Sequence, residues 1–204
     1  MKIINQSYDI VRFFPKEDVA AICEGYCICY GHPFPETFED QCDFIKKHRI
    51  HESPLEHSSM TVRFITNRGI SHEIVRHRHT GYSQESTRYC NYSKGRFGTE
   101  LTFINDTHIV KDASAYEAWL KYRQDNEDEY FNMLKRGLRA EEARGCLPND
   151  LKTKLLVTTN FREWRSIFKL RCDSHAHYQM QELMKPLFDE VNTALPCIFD
   201  DIKF

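Results

Sequence analysis

Residues 76–89 read RHRHTGYSQESTRY and carry more chemical information than any other stretch of the chain. The stretch contains three arginines and two histidines beside hydroxyl and amide side chains, and it has almost no aliphatic content. Guanidinium groups pair with phosphate oxygens through two parallel, charge-assisted hydrogen bonds. The stretch therefore predicts a pocket for a phosphorylated ligand that is rich in hydrogen-bonding groups.

Two further polar clusters lie outside this stretch. The first is His51–His57, directly before a predicted strand, and the second extends from Arg144 to His177. Taken singly, His51 and His57 are typical of ordinary loop histidines. The two clusters gain weight because they accompany the arginine-rich stretch.

Arg171 is the most informative residue of the second cluster. It follows Ile167 by four residues and Phe168 by three, so a helix would turn it toward the same inward face. A buried arginine is costly unless an anion or a carbonyl group meets it. We therefore interpret Arg171 as a site residue, with His175 on the same face if the helix continues. Glu163 and Arg165 are predicted to lie on the solvated face of this helix.

The spacing of apolar residues predicts an α+β fold that is mostly helical and has a small central sheet. Strands are predicted at residues 3–14 and 59–65. Helices are predicted at residues 15–29, 35–47, 72–78, 112–136, 140–147, 160–170 and 174–194. Because no repeat or linker interrupts the chain, we expect residues 1–204 to form a single domain.

Local residue types predict where some of these elements begin and end. Ser71 is expected to cap the helix at 72–78, and Asn160 is expected to cap the helix at 160–170. Both side chains can accept hydrogen bonds from the free backbone N–H groups at a helix start. Residues 79–98 contain several glycines and no long periodicity. This stretch is predicted to be a loop with short extended pieces.

Composition excludes several classes of protein. The chain has 204 residues, with 28 Lys and Arg against 30 Asp and Glu, and this near-neutral balance argues against general nucleic-acid binding. No run approaches the roughly 18 apolar residues that cross a bilayer. Residues 1–5 lack the charged start and apolar run of a signal peptide. We therefore expect a cytoplasmic protein, without membrane or nucleic-acid partners, whose eight cysteines are free thiols.

A metal site is the main chemical alternative, because the segments 77–79 and 175–177 are both His-x-His pairs. Such a pair converges on one ion only when its backbone is extended, and both pairs lie in or beside predicted helices. We therefore assign no metal ligands. A metal-dependent nucleotide hydrolase and a non-catalytic nucleotide- or RNA-binding module stay open as alternatives at this point.

The cysteines do not predict a metal site or a nucleophile. Cys23, Cys27 and Cys29 do not match a zinc-binding spacing and are interpreted as small core residues. Cys90 and Cys172 each neighbour basic residues, but nothing singles out either as a reactive thiolate.

The chain resembles the flavin-dependent thymidylate synthases. Their signature is matched by Arg76-His77-Arg78, seven residues and then Ser86, and two later blocks are matched by residues 160–162 and 171–175. The resemblance implies an enzyme that makes dTMP from dUMP, with methylenetetrahydrofolate as carbon donor, FAD as redox cofactor and NADPH as reductant. It also implies a homotetramer with active sites shared between chains and no cysteine nucleophile.

The resemblance also implies roles for single residues. Those that match FAD-contacting positions are Arg76, His77, Arg78, Asn160, Arg162 and His175. Those that match dUMP-binding positions are Gln84, Ser86, Arg88, Arg144 and Arg171. Arg171 would contact the uracil ring, and His51 would lie close to the flavin and the folate, so these two are the expected catalytic residues.

Overall fold

A computed structural model describes residues 1–94 and 98–204 of the protein. It is a mixed fold in which helices account for 52% of the chain, as the sequence predicts. The strands are β1 (Lys2–Ile4), β2 (Ser7–Arg12), β3 (Ser59–Asn67), β4 (Thr80–Gln84), β5 (Thr102–Ile104) and β6 (Lys152–Asn160). The α-helices are α1 (Pro15–Tyr30), α2 (Phe38–His48), α3 (Arg68–Ile74), α4 (Ala113–Lys135), α5 (Ala140–Ala143), α6 (Phe161–Arg171), α7 (Tyr178–Ala194) and α8 (Pro196–Phe199).

The strands form two small sheets. The larger has four strands in the order β2-β3-β6-β4. In the smaller, β1 and β5 pair in parallel with Ile3 opposite Phe103. Of the described helices, none is both long and apolar enough to cross a membrane.

The chain forms two compact units, each of which contains several separate segments of the sequence. Unit 1 consists of Met1–Ser7, Phe64–Arg76 and Ser83–Leu155. Unit 2 consists of Tyr8–Arg63, His77–Tyr82 and Leu156–Phe204.

The core of unit 1 is built around the long helix α4. Tyr130 is fully buried and packs with Phe103 and Leu151, which are fully buried as well. The indole N–H of Trp119 donates to the carboxylate of Asp150 at 2.8 Å, so the ring is buried without losing its hydrogen bond.

The core of unit 2 is rich in aromatic rings. Trp164 stacks on Phe168 with ring centroids 5.5 Å apart, and Phe168 meets the edge of Phe199 at 5.7 Å. The indole of Trp164 donates to the carbonyl of Met60 at 3.1 Å. These contacts attach α6 to β3 and to α8, and they fix the helix that carries Arg171.

Several predicted boundaries are confirmed. Helix α1 begins at Pro15, and α4 follows Asp112, whose carboxylate accepts from the backbone N–H of Ser114 at 3.0 Å. Asn160 caps α6 by accepting from the N–H of Glu163 at 2.9 Å. Proline at the first helical position and Asp or Asn at the cap are local signals, so sequence alone reveals them.

Other predicted boundaries are wrong. Helix α2 begins at Phe38 with Thr37 as its cap, so Pro35 precedes the helix. Helix α3 is capped by Asn67, whose side chain accepts from the N–H of Ile70 at 2.7 Å. Ser71, the predicted cap, lies inside α3.

The stretch 79–98 was predicted to be a loop with short extended pieces, and it contains one such piece, strand β4. Residues 95–97 of this stretch lie outside the described residues. One further helix start differs from expectation. Helix α7 starts at Tyr178, four residues later than predicted, because the carboxylate of Asp173 accepts from the N–H of His175 at 2.8 Å and turns the chain.

Candidate functional site

Unit 2 contains a partly buried group of three polar side chains, which we call the histidine network: His77, Glu163 and Arg171. The Nε–H of Arg171 donates to Nε2 of His77 at 3.1 Å. Nδ1 of His77 lies 3.2 Å from the Glu163 carboxylate. Because Nε2 accepts, the proton of a neutral imidazole must sit on Nδ1, from which it is donated to Glu163.

The surroundings of the histidine network favour neutral imidazole. Only 8% of the His77 side chain is exposed. This burial, together with the charge of Arg171, lowers the pKa of His77 below 6.5, although Glu163 acts in the opposite direction. The hydroxyl of Tyr82 donates to the backbone carbonyl of His77 at 2.8 Å and holds the residue from β4.

Helix α6 positions the network because Glu163, Ile167 and Arg171 follow one another at intervals of four residues. Residues at this spacing share one face of a helix. Ile167 is fully buried and anchors that face. The prediction that Arg171 faces inward is therefore confirmed.

The same helix corrects two predictions. Glu163 and Arg165 were expected on a solvated face, but Glu163 belongs to the histidine network and Arg165 is only 3% exposed. The Arg165 guanidinium is bidentate to Asp201, at 2.7 and 2.8 Å, and its Nε donates to Glu52 at 3.1 Å. The missed signal was the spacing from Glu163 to Ile167, since an inward Ile167 brings Glu163 inward as well.

His175 does not share the face of Arg171. Helix α6 ends at Arg171, and the His175 side chain is 95% exposed, with Nδ1 2.8 Å from Asp173. The structure thus corrects the expected pairing, because the histidine that meets Arg171 is His77. Arg171 and His175 were expected to pair across one helical turn, and the chain does not form that turn.

A cleft of about 320 Å³ lies beside the network in unit 2. Its lining residues are Glu56, His79, Asn160, Arg162, Glu163 and Ser166. The guanidinium of Arg162 is exposed at the rim and pairs with the Glu56 carboxylate. The cleft therefore offers both donors and acceptors to a polar ligand. Arg78 is exposed and does not line it.

His51 is exposed, and a hydrogen bond to its backbone holds it in place. The buried hydroxyl of Tyr26 donates to the carbonyl of His51 at 3.0 Å. The His51 ring is 6.1 Å from the ring of Tyr30 and is otherwise open to solvent. Its imidazole is thus accessible, while its main chain is fixed.

Unit 1 carries the other predicted residues. Gln84 is half-buried, and its amide donates to Ser71 Oγ at 2.8 Å and to Thr153 Oγ1 at 3.3 Å. Ser86 lies two residues further, and its hydroxyl accepts from the N–H of Arg88 at 3.2 Å. This contact orders the turn that carries Arg88.

Three of the predicted site arginines lie in unit 1 and are exposed, namely Arg76, Arg88 and Arg144, and we call them the arginine surface. The Nε–H of Arg88 donates to the Glu141 carboxylate at 2.7 Å, although its side chain is 57% exposed. Arg144 makes a long contact of 3.5 Å to the hydroxyl of Thr87. These cations are accessible to an anionic ligand, with Glu141 as an internal competitor.

All eight cysteines are free, as predicted. Cys23 and Cys27 are buried, in agreement with a core role, but Cys29 is exposed. Burial raises the pKa of the Cys172 thiol to about 12. Cys90 is buried too, so neither cysteine beside basic residues has the setting of a reactive thiolate. Within residues 1–94 and 98–204, no three or more His, Cys, Asp or Glu side chains are grouped to hold a metal ion.

Comparisons with known proteins identify relatives of the chain. A family model described as thymidylate synthase complementing protein matches residues 16–197. The chain is 35% identical over 142 residues to a flavin-dependent thymidylate synthase of Pyrococcus abyssi, which covers 69% of this chain and 57% of that protein. It is 35% identical over 152 residues to the flavin-dependent thymidylate synthase of Geobacter sulfurreducens, which covers 74% and 64%. The chain thus spans less than two thirds of the length of these relatives.

A solved structure shares the fold. The UMP/dUMP methylase PolB from Streptomyces cacaoi, bound with 5-Br dUMP, superimposes with a TM-score of 0.80. The match covers 97% of this chain and 95% of that chain at 18% identity.

Proposed function

The chain belongs to the thymidylate synthase complementing protein family, and on this premise we propose that it converts dUMP to dTMP. The carbon comes from methylenetetrahydrofolate and replaces the hydrogen at C5 of uracil. Two electrons from NADPH bring this carbon to the level of a methyl group, and tetrahydrofolate and NADP⁺ are the other products. FAD is the cofactor that links the reductant to the carbon transfer.

One observation carries the proposal: a permanently charged guanidinium is fixed in place, while burial disfavours the thiolate form of six cysteines. Arg171 is held by the buried His77 at 3.1 Å. Burial raises the pKa of six thiols: Cys23, Cys27, Cys42, Cys146, Cys172 and Cys197. An activated cysteine is what a covalent route would need, so this pattern supports polarisation of the substrate by charge instead.

In this mechanism Arg171 acts on the uracil ring. Carbon–carbon bond formation at C5 requires negative charge to build up on the ring carbonyl oxygens. A guanidinium always carries its charge and has five N–H donors, so it stabilises this charge without exchanging a proton. His51, whose imidazole is exposed while its backbone is fixed, is the second residue that we assign to the reaction.

The nucleotide is held by unit 1 residues in our proposal. We assign Gln84, Ser86, Arg88 and Arg144 to dUMP, with Arg88 on the phosphate. Exposed arginines and hydroxyl groups match the chemistry of a phosphomonoester, which accepts charge-assisted hydrogen bonds from both. The exposure of Arg88 and Arg144 supports this role.

The residues of unit 2 fit part of a flavin. Asn160 and Arg162 line the 320 Å³ cleft, and the amide and guanidinium groups there can meet carbonyl and phosphate oxygens. We assign His77, Arg78 and His175 of the same unit, and Arg76 of unit 1, to FAD as well. When bound, FAD supplies the redox chemistry that the side chains of this protein lack.

The size of the cleft supports shared sites in a homotetramer. Small-molecule sites span roughly 300–1,000 Å³, so this cleft is at the lower limit and is small for a dinucleotide. Exposed apolar residues also favour burial by another copy, since Ile28 and Ile50 are 74% and 84% exposed. Different chains can then contribute residues to one site. A cytoplasmic location stays a prediction.

Visible absorption of the purified protein tests the proposal. We expect a yellow protein that loses its colour when NADPH and dUMP are added without oxygen, and that forms dTMP once methylenetetrahydrofolate is supplied. A protein that stays colourless after incubation with FAD would contradict the proposal. Metal analysis and chelator sensitivity would then test the hydrolase alternative.

A further inference from the structure

A direct contact between Arg171 and a ligand would not require His77 and Glu163, yet both belong to the histidine network. Arg171 is buried only in part, so its guanidinium can turn unless a partner fixes it. Its Nε–H points at Nε2 of His77, 3.1 Å away. His77 is in turn 3.2 Å from Glu163, so the three side chains form a continuous chain of hydrogen bonds.

We propose that His77 and Glu163 are positioning residues for Arg171: Glu163 keeps the proton of His77 on Nδ1, and His77 thereby presents a lone pair that orients the guanidinium. The inference rests on the proposed function, because in it these two residues orient Arg171, the arginine that we propose contacts uracil. Neither residue needs to touch the substrate for this role.

The direction of each hydrogen bond follows from the donors and acceptors. Arg171 can only donate, so Nε2 of His77 must accept. A protonated His77 would present N–H on both ring nitrogens, and Nε2 would then repel Arg171. A carboxylate at Nδ1 selects the tautomer that avoids this conflict.

The groups that face His77 come from two elements. Glu163 and Arg171 approach from α6, and the Tyr82 hydroxyl donates to the His77 carbonyl from β4. Of these, Arg171 and burial lower the pKa of His77 and Glu163 raises it. Removing Glu163 should therefore lower the pKa of His77 further, and removing the charge of Arg171 should raise it.

The first test is nuclear magnetic resonance of the flavin-loaded protein labelled with ¹⁵N-histidine. The ring signals of His77 are assigned as those that disappear in the variant His77→Gln. We expect the Nδ1–H tautomer of the neutral ring and a pKa of His77 below 6.5. An Nε2–H tautomer, or a pKa above 6.5, would overturn the inference. This readout does not depend on turnover.

The second test compares Glu163→Leu with Glu17→Leu. Both glutamates occupy the third position of a helix, but Glu17 is exposed at the start of α1. We expect Glu163→Leu to lower the pKa of His77 and to reduce kcat roughly tenfold, about the effect of one lost hydrogen bond. The KM for dUMP and the bound flavin should change little, and Glu17→Leu should match the wild type.

Glu163→Gln separates positioning from simple stability. Its amide oxygen still accepts from Nδ1–H, so we expect it to restore most of the kcat that Glu163→Leu loses. Equal losses in both variants, at equal Tm, would overturn the inference. If Glu163→Leu does not fold, the spectra of the wild type still decide.

The outcomes separate this inference from the proposed function. Normal dTMP formation with the proton of His77 on Nε2 would reject the positioning role and leave the function intact. The Nδ1–H tautomer in a protein that forms no dTMP would reject the function, and the spectra would still confirm the arrangement of the three side chains.

Discussion

The histidine network of unit 2 and the arginine surface of unit 1 hold charged groups in opposite ways. Arg171 is fixed by a ring that is 8% exposed, whereas Arg88 is 57% exposed and pairs with a single carboxylate. A preorganised group acts on charge that appears only during the reaction, because it needs no rearrangement at that moment. An exposed arginine suits a ligand that arrives with its charge. We therefore expect the histidine network to serve catalysis and the arginine surface to serve binding.

The largest expected effect tests the catalytic role of the histidine network in unit 2. Arg171→Ala should lower the rate of dTMP formation by at least roughly 10²–10³-fold, the typical loss for one preorganised donor. FAD should stay bound, as measured by visible absorption. Lys169→Ala is the control, since Lys169 is a half-exposed cation on the same helix. Normal turnover in Arg171→Ala would remove the residue from the mechanism.

The next effect tests the unit 1 side. Arg88→Ala should raise the KM for dUMP roughly 10–100-fold, because a charge-assisted hydrogen bond to phosphate is lost, while kcat changes less. Arg139→Ala is the matched control, since Arg139 pairs with the same Glu141 and is 72% exposed. If steady-state kinetics gave a loss in kcat at constant KM, the division between catalysis and binding would fail.

A smaller effect sharpens the view of Glu141 as a competitor for Arg88. Glu141→Gln weakens an exposed ion pair, so the KM for dUMP should fall by at most about fivefold. Glu142→Gln, in which the neighbouring exposed acid is changed, should leave the KM near that of the wild type. An increase in KM for Glu141→Gln would mean that Glu141 orients Arg88 for the phosphate.

The smallest effect concerns the thiols. Cys172→Ala should lower the stability by about 1 kcal/mol, since the side chain is fully buried, and should leave kcat unchanged. Single replacements of the other seven cysteines should likewise keep the activity of well-folded protein. One cysteine that proved indispensable in such a protein would revive covalent catalysis.

Sequence predicted the parts of the site that depend on local rules. The cap at Asn160 and the inward face of Arg171 follow from residue type and helical spacing, and both are confirmed. The family follows from the spacing of the Arg-His-Arg signature and is confirmed by the match over residues 16–197. The roles assigned to single residues stay predictions.

The sequence by itself determined the class of fold and the α6 cap, because both depend on neighbours a few positions away. It also determined the resemblance, because the family's motifs are read directly from the order of the residues. Only the tertiary structure decided the partners of His77, which lie 86 and 94 residues along the chain. It also placed His175 in solvent, since Asp173 turns the chain after α6. The proton position on an imidazole is set by the donors, acceptors and burial around it, and packing alone brings those together.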